Sequence, residues 1–122
     1  LANQVAIAGV MFSVCESMLF AQEAGLDVRQ WLELVVPGAA GSTAMGTLGR
    51  RLLGCDYAPG FFVEHFIKDL GLCKRMGLVL PGVALAEQVY RMAQAQGHGK
   101  DGTQVLLQVL AELSGKQWRA HA

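Results

Sequence analysis

A chain of 122 residues, 52% of them apolar, is one domain with side chains enough for a core of its own. Ten basic residues against ten acidic ones leave no net charge, which excludes a nucleic-acid binder working by bulk electrostatics. Cys15, Cys55 and Cys73 are odd in number and widely spaced, so they make neither a metal motif nor a disulfide framework. Free thiols in a reducing, cytoplasmic compartment are expected.

The chain opens on its dominant element. Leu1 to Asp27 (LANQVAIAGVMFSVCESMLFAQEAGLD) contains no proline, and only Gly9 interrupts it before Gly25. Good helix formers fill its second half and Gly25 supplies a left-handed stop, so one long helix is predicted. From Val5 to Val14 apolar residues face every side, the mark of a helix enclosed by protein or by lipid. A membrane span needs about 20 apolar residues, whereas Asn3 and Gln4 bound this run and Glu16 interrupts it. A central core helix is expected, with no membrane partner. No basic stretch precedes the apolar start, which argues against a signal peptide. Without a capping box the helix reads as already under way at Leu1, as in a piece of a longer chain. Asn3 and Gln4 either face water in a first turn or look into a site.

Asp27 can cap a second helix, Val28 to Val36, with Trp31, Leu32, Leu34 and Val35 inward and Arg29, Gln30 and Glu33 outward. Pro37-Gly38 ends it. Ser42 can cap a third helix, Thr43 to Leu53, in which Gly46 and Gly49 either weaken the helix or let a neighbour approach closely. After the loop Gly54–Gly60, a fourth helix runs from Phe61 to Met76, with Phe62, Phe66, Leu70 and Cys73 on one apolar stripe. Gly77 stops it and Leu80-Pro81-Gly82 turns the chain. A fifth helix, Val83 to Gln96, points Leu85, Val89 and Met92 inward and Glu87, Gln88 and Arg91 outward. Asp101 caps a last helix ending near Leu113, and SGKQWRAHA reads as a frayed or appended tail. Period-two alternation is absent, so the class is all-α, a helical bundle around the long N-terminal helix.

Little in this chain carries chemistry unaided. His65, His98 and His121 are unpaired at metal-ligand spacing and read as solvated, so no metal site is expected. Ser13, Cys15 and Ser17 have no evident His–Asp partners, and no GxGxxG follows a strand. Lys68-Asp69, in mid-helix, is either a surface ion pair or a contact to a phosphate or carboxylate. A helical wheel sets Lys68 about 20° from Phe61, both pointing away from the core stripe.

Taken in order, these segments carry a resemblance: Asn3-Gln4 on a long helix, then Gln22-Glu23-Ala24-Gly25-Leu26-Asp27, Gly38-Ala39-Ala40-Gly41-Ser42, Pro59-Gly60-Phe61, Lys68-Asp69-Leu70-Gly71-Leu72, Leu80-Pro81 and Tyr90-Arg91. From residue 1 to about 113 the chain resembles the C-terminal helical domain of the β-hydroxyacid dehydrogenases. That family includes 3-hydroxyisobutyrate dehydrogenase and 2-hydroxy-3-oxopropionate reductase and is related to 6-phosphogluconate dehydrogenase. Its catalytic motif is Lys-x-x-Asn followed by Asn or Gln. Asn3 and Gln4 match the end of this motif, and the lysine would stand immediately before Leu1.

The resemblance implies that this lysine is the general acid/base of hydride transfer and that Asn3 and Gln4 are catalytic residues orienting the substrate oxygen. It implies that Lys68, Phe61 and Asp69 line the cofactor side of the cleft, with Ser42 on the substrate side. NAD or NADP would be bound mainly by an N-terminal Rossmann domain carrying GxGxxG, outside this chain. Residues 1–115 would form the substrate-binding and dimerisation domain and residues 116–122 a tail. The expected partners are a small hydroxyacid and further copies of the chain, as a homodimer or homotetramer. The alternatives are a non-enzymatic helical interaction module or the corresponding domain of an imine reductase.

Overall fold

The structure, a computed structural model, describes residues 1–121. Six α-helices follow one another: α1 (Ala2–Glu23), α2 (Val28–Val35), α3 (Thr43–Leu53), α4 (Val63–Cys73), α5 (Pro81–Ala93) and α6 (Leu106–Leu113). Among the described residues no strand forms; one isolated antiparallel bridge joins Phe62 and Gly102. The all-α reading therefore stands.

The 22 residues of α1 are long and apolar enough to cross a membrane by length and composition alone. Here the helix packs on each of the other five. Ala8, Met11, Val14, Cys15, Met18 and Ala21 are buried along it, while Ala6, Gly9, Ser13, Glu16 and Phe20 form an exposed strip. Gly25, at φ +79°, closes α1 in the predicted manner. The Leu26 N–H donates to Ala21 O and the Gly25 N–H to Gln22 O, the paired bonds of a glycine-terminated helix. Asp27 and Ser42 cap α2 and α3 through side-chain oxygens that accept from Gln30 N and Met45 N, each at 3.0 Å. Gly49 admits the Leu32 side chain: a Cβ there would lie 2.9 Å from Leu32 Cδ1.

Several expectations are corrected. Phe61 and Phe62 precede α4, which begins at Val63, and the buried stripe is Val63, Phe66, Ile67, Leu70 and Cys73. Phe61 therefore shares no helical face with Lys68. Leu34 and Leu85 point to solvent rather than inward. Asp101 caps no helix: its carboxylate meets His98 Nδ1 at 2.7 Å, and a 3-10 turn, Thr103–Val105, leads into α6. His98 is thus held, and His121 is held too, by Gln22. Through His121 the tail is neither frayed nor detached; Ala122 lies outside the described residues. Trp118, 7% exposed, donates from Nε1 to Leu52 O at 2.8 Å, and the His121 N–H donates to Leu53 O at 2.7 Å. These are terminal carbonyls of α3, past the end of its own i→i+4 ladder; Leu52 O also accepts from the Cys55 N–H at 3.1 Å. Gln22, buried at the end of α1, donates to Gln117 O and accepts from Arg119 N.

Glu87, expected outside, is 8% exposed. Its Oε1 accepts from Lys74 Nζ at 3.0 Å and Arg91 Nε at 3.5 Å, clasping the end of α4 to α5. Burial alone would raise the Glu87 carboxyl, but the bond to Lys74 and the charges of Lys74 and Arg91 outweigh it and hold the group below its ordinary value. A carboxyl lowered in the folded state stabilises the fold above the unfolded value of about 4.3. That contribution disappears as pH falls through the folded value. Glu87→Gln is expected to lower the melting temperature at pH 7 and to flatten its decline between neutral and strongly acid pH, checked by thermal melts across that range.

Candidate active site

Where α1 begins, it meets the start of α4 and the approach to α6. Here the structure opens a cleft of about 530 Å³. Asn3 and Gln4 stand on its rim. Ile7, Leu48, Phe61 and Phe66 line it with apolar surface, and Thr103 and Gln104 complete the wall.

Three polar side chains are joined in a row. Gln4 Nε2 donates to Asp69 Oδ2 at 3.2 Å, and Asn3 Nδ2 donates to Gln4 Oε1 at 3.1 Å. An ionised carboxylate can only accept, so Asp69 fixes which end of the Gln4 amide faces it. Gln4 Oε1 is thereby turned to Asn3 and takes one of its two N–H donors. Asn3 keeps its other N–H and its carbonyl oxygen for a ligand.

The lip of the cleft is held by main chain. The Gly102 N–H donates to Tyr57 O at 2.8 Å, Thr103 N–H to Phe61 O at 3.1 Å, Val63 N–H to Asp101 O at 2.9 Å and Glu64 N–H to Gly99 O at 2.9 Å. The last two satisfy donors in the first turn of α4, where no side chain caps the helix. Gln104 reinforces the seam, donating from Nε2 to Asp56 O and Ala58 O. Beneath the cleft, Tyr90 is fully buried and its hydroxyl donates to Thr103 O at 2.9 Å. Its ring meets Phe66 edge-on, with centroids 5.0 Å apart.

The structure thus brings Asn3, Gln4 and Phe61 to one cleft and ties Asp69 to it. Lys68 is exposed on α4 and does not line the cleft, and Ser42 spends its hydroxyl oxygen on the cap of α3. Thr103 and Gln104 escaped the sequence reading, which carried the last helix back to Asp101 and treated them as ordinary helical residues. One signal was available: a polar pair between Gly102 and a wholly apolar run. Gly102 is needed there, because a Cβ would fall 2.3 Å from Gln104 Oε1 and 2.8 Å from Ala58 O. Among the described residues no group of His, Cys, Asp and Glu could hold a metal.

Paired amides at the head of the longest helix, braced by a carboxylate, thus stand at the cleft of an all-α domain. Comparison with known proteins places it. Residues 1–110 match the family described as NAD-binding of NADP-dependent 3-hydroxyisobutyrate dehydrogenase, and the chain belongs to that family. It is 49% identical over 118 residues to a probable 3-hydroxyisobutyrate dehydrogenase-like protein of Arabidopsis thaliana, covering 93% of this chain and 35% of that one. It is 30% identical over 113 residues to 2-hydroxy-3-oxopropionate reductase of Escherichia coli, covering 89% and 39%. The crystal structure of 3-hydroxyisobutyrate dehydrogenase from Salmonella typhimurium shares the fold, with a TM-score of 0.80 at 24% identity over 88% of this chain and 39% of that one. The chain therefore spans less than two-fifths of the length of these relatives.

Proposed function

We propose that this chain is the C-terminal, 6-phosphogluconate dehydrogenase-like helical domain of an NAD(P)-dependent hydroxyacid dehydrogenase, and that it forms the substrate side of the active site. The observation that carries this reading is the braced row Asp69–Gln4–Asn3 at the mouth of an apolar cleft. A small hydroxyacid needs its polar end oriented and its carbon skeleton covered, and the cleft offers both kinds of surface.

The residues fit the nicotinamide end of such a cofactor rather than its phosphates. Phe61, 39% exposed beside the cleft, offers an aromatic edge, and the lining includes no cluster of cationic side chains. When bound, the cofactor accepts or returns a hydride. The chain's own part is positional: Asn3 directs its spare N–H and carbonyl oxygen at the reacting substrate oxygen, and Asp69 holds that geometry through Gln4. A lysine one residue before Leu1 would share the face of Asn3 and Gln4, three and four residues on, and would move the proton. Lys68, one residue from Asp69 and free in solvent, is proposed to approach the cofactor from the other side. We also propose that assembly as a homodimer uses the α1 flank, where Phe20 is 75% exposed and Leu34 71% exposed.

The test is a paired assay. The longer protein is expected to reduce NAD or NADP with small 3-hydroxyacids. The 122-residue chain by itself is expected to show no turnover, lacking a phosphate-binding loop and the acid/base lysine. Saturable turnover by the chain alone, or an inactive longer protein across both cofactors, overturns the reading.

A further inference from the structure

One wall of the cleft has polar capacity that neither the fold nor the proposed chemistry uses. Thr103, 6% exposed, lines the cleft. Both of its main-chain groups are engaged: its N–H donates to Phe61 O and its carbonyl accepts from Tyr90 Oη. Its hydroxyl makes no hydrogen bond to the described residues. Among those residues, Gln104 Oε1 is the one fully enclosed side-chain polar atom without a partner. The unpartnered Thr103 hydroxyl therefore keeps an opening, and the cleft it lines is where that opening lies.

Gln104 sharpens the chemistry. Its Nε2 is bound to two carbonyl oxygens, Asp56 O and Ala58 O, so the amide cannot turn over, and its unpartnered Oε1 is enclosed behind the wall, against Gly102. A fixed negative dipole end disfavours an anionic substituent at this wall. A neutral hydroxyl suits it, since a hydroxyl both accepts from Thr103 and carries a proton of its own. Ile7, Leu48, Phe61 and Phe66 leave the rest of the lining apolar.

We infer that Thr103 is a specificity-determining residue: its hydroxyl, backed by Gln104, reads a second hydroxyl on the substrate, so that the cleft takes a dihydroxy acid in preference to the same acid with a methyl group there. This rests on the dehydrogenase reading above. Two probes separate the cases cleanly, because glycerate and 3-hydroxyisobutyrate differ at C2 only in carrying hydroxyl or methyl. In each, the C3 alcohol gives a hydride to NAD(P)⁺ and a proton to the acid/base group, leaving an aldehyde. A site equipped to bond a hydroxyl discriminates against the isostere lacking it far better than an apolar pocket does the reverse.

The experiment is steady-state oxidation of both acids by the longer enzyme and by its Thr103→Val and Thr103→Ser variants. The unmodified enzyme is expected to favour glycerate by about tenfold or more in kcat/KM, the scale of one hydrogen bond made or left unmade. Thr103→Val is expected to lose about tenfold on glycerate while staying within about twofold on 3-hydroxyisobutyrate, and Thr103→Ser to restore the preference. Equal losses on both acids mark a structural role and overturn the inference, as does an unmodified enzyme that prefers the methyl-branched acid. An unmodified enzyme that oxidises neither acid overturns the dehydrogenase reading itself; an active one whose preference ignores Thr103→Val discards this inference alone.

Discussion

Asn3→Ala, made in the longer enzyme, is expected to lower kcat/KM for its hydroxyacid about a hundredfold, in line with removing a positioned donor from a developing oxyanion. The loss should fall mainly on kcat, because an N–H aimed at the reacting oxygen gains most as charge builds there. The fold should survive: Asn3 is exposed and its one bond to protein runs to its neighbour Gln4. Asp69→Asn supplies a graded companion. It replaces an obligate acceptor by an amide that can present either end to Gln4, so the row loosens without being emptied, and a smaller loss with the same kcat character is expected. Steady-state kinetics alongside far-ultraviolet circular dichroism check both. An Asn3→Ala enzyme with unchanged kcat would return Asn3 to the solvated first turn of a core helix.

The second large effect lies at the other end of the chain. Trp118→Ala is expected to destabilise the domain by about 3–5 kcal/mol, the range for truncating a buried tryptophan. Two losses combine. The ring leaves a buried seat beside His121, with centroids 4.8 Å apart, and Leu52 O loses the indole donor while keeping the Cys55 N–H. Trp118→Phe keeps most of the packing and forfeits the indole N–H, so about 1 kcal/mol is expected. Urea unfolding followed by circular dichroism separates the two variants. The same seat is sensitive to acid. Burial first, and then the charge of Arg119, lower the His121 imidazole below its ordinary value, against an opposing pull from Asp27. The unfolded chain thus takes up this proton more readily than the folded one, and the docked tail contributes less as pH falls through the histidine range.

What the sequence made legible was local. The ends of α1, α2 and α3 depend on a glycine or a capping oxygen within a few residues, and Gly25, Asp27 and Ser42 act as read. Faces were harder. Leu34 and Leu85 are apolar residues on helices whose buried arc is set by neighbours distant in sequence, and a periodic stripe cannot say which of its flanks meets them. Glu87 is buried because Lys74, thirteen residues earlier, reaches it, and the tail docks because α3 leaves carbonyls open near Trp118. At the cleft, Asn3, Gln4, Phe61 and Asp69 enter through a resemblance in motif order, whereas the one short-range mark of Thr103 and Gln104 is a polar pair between Gly102 and Val105-Leu106-Leu107, which says nothing of the cleft. Their importance comes from the crossing of two segments some forty residues apart.

That crossing has a further consequence. The segments around Tyr57–Glu64 and Gly99–Thr103 are stitched through peptide groups, which every residue but proline can supply on the donor side. Apart from Gly102 and Gln104, the frame of the pocket is therefore nearly indifferent to which side chains hang from it. Replacements at the lining can be sampled one at a time without dismantling the mouth that presents them. A scaffold of this kind suits a lineage that changes what it consumes by exchanging a few wall residues while the support beneath them stays put.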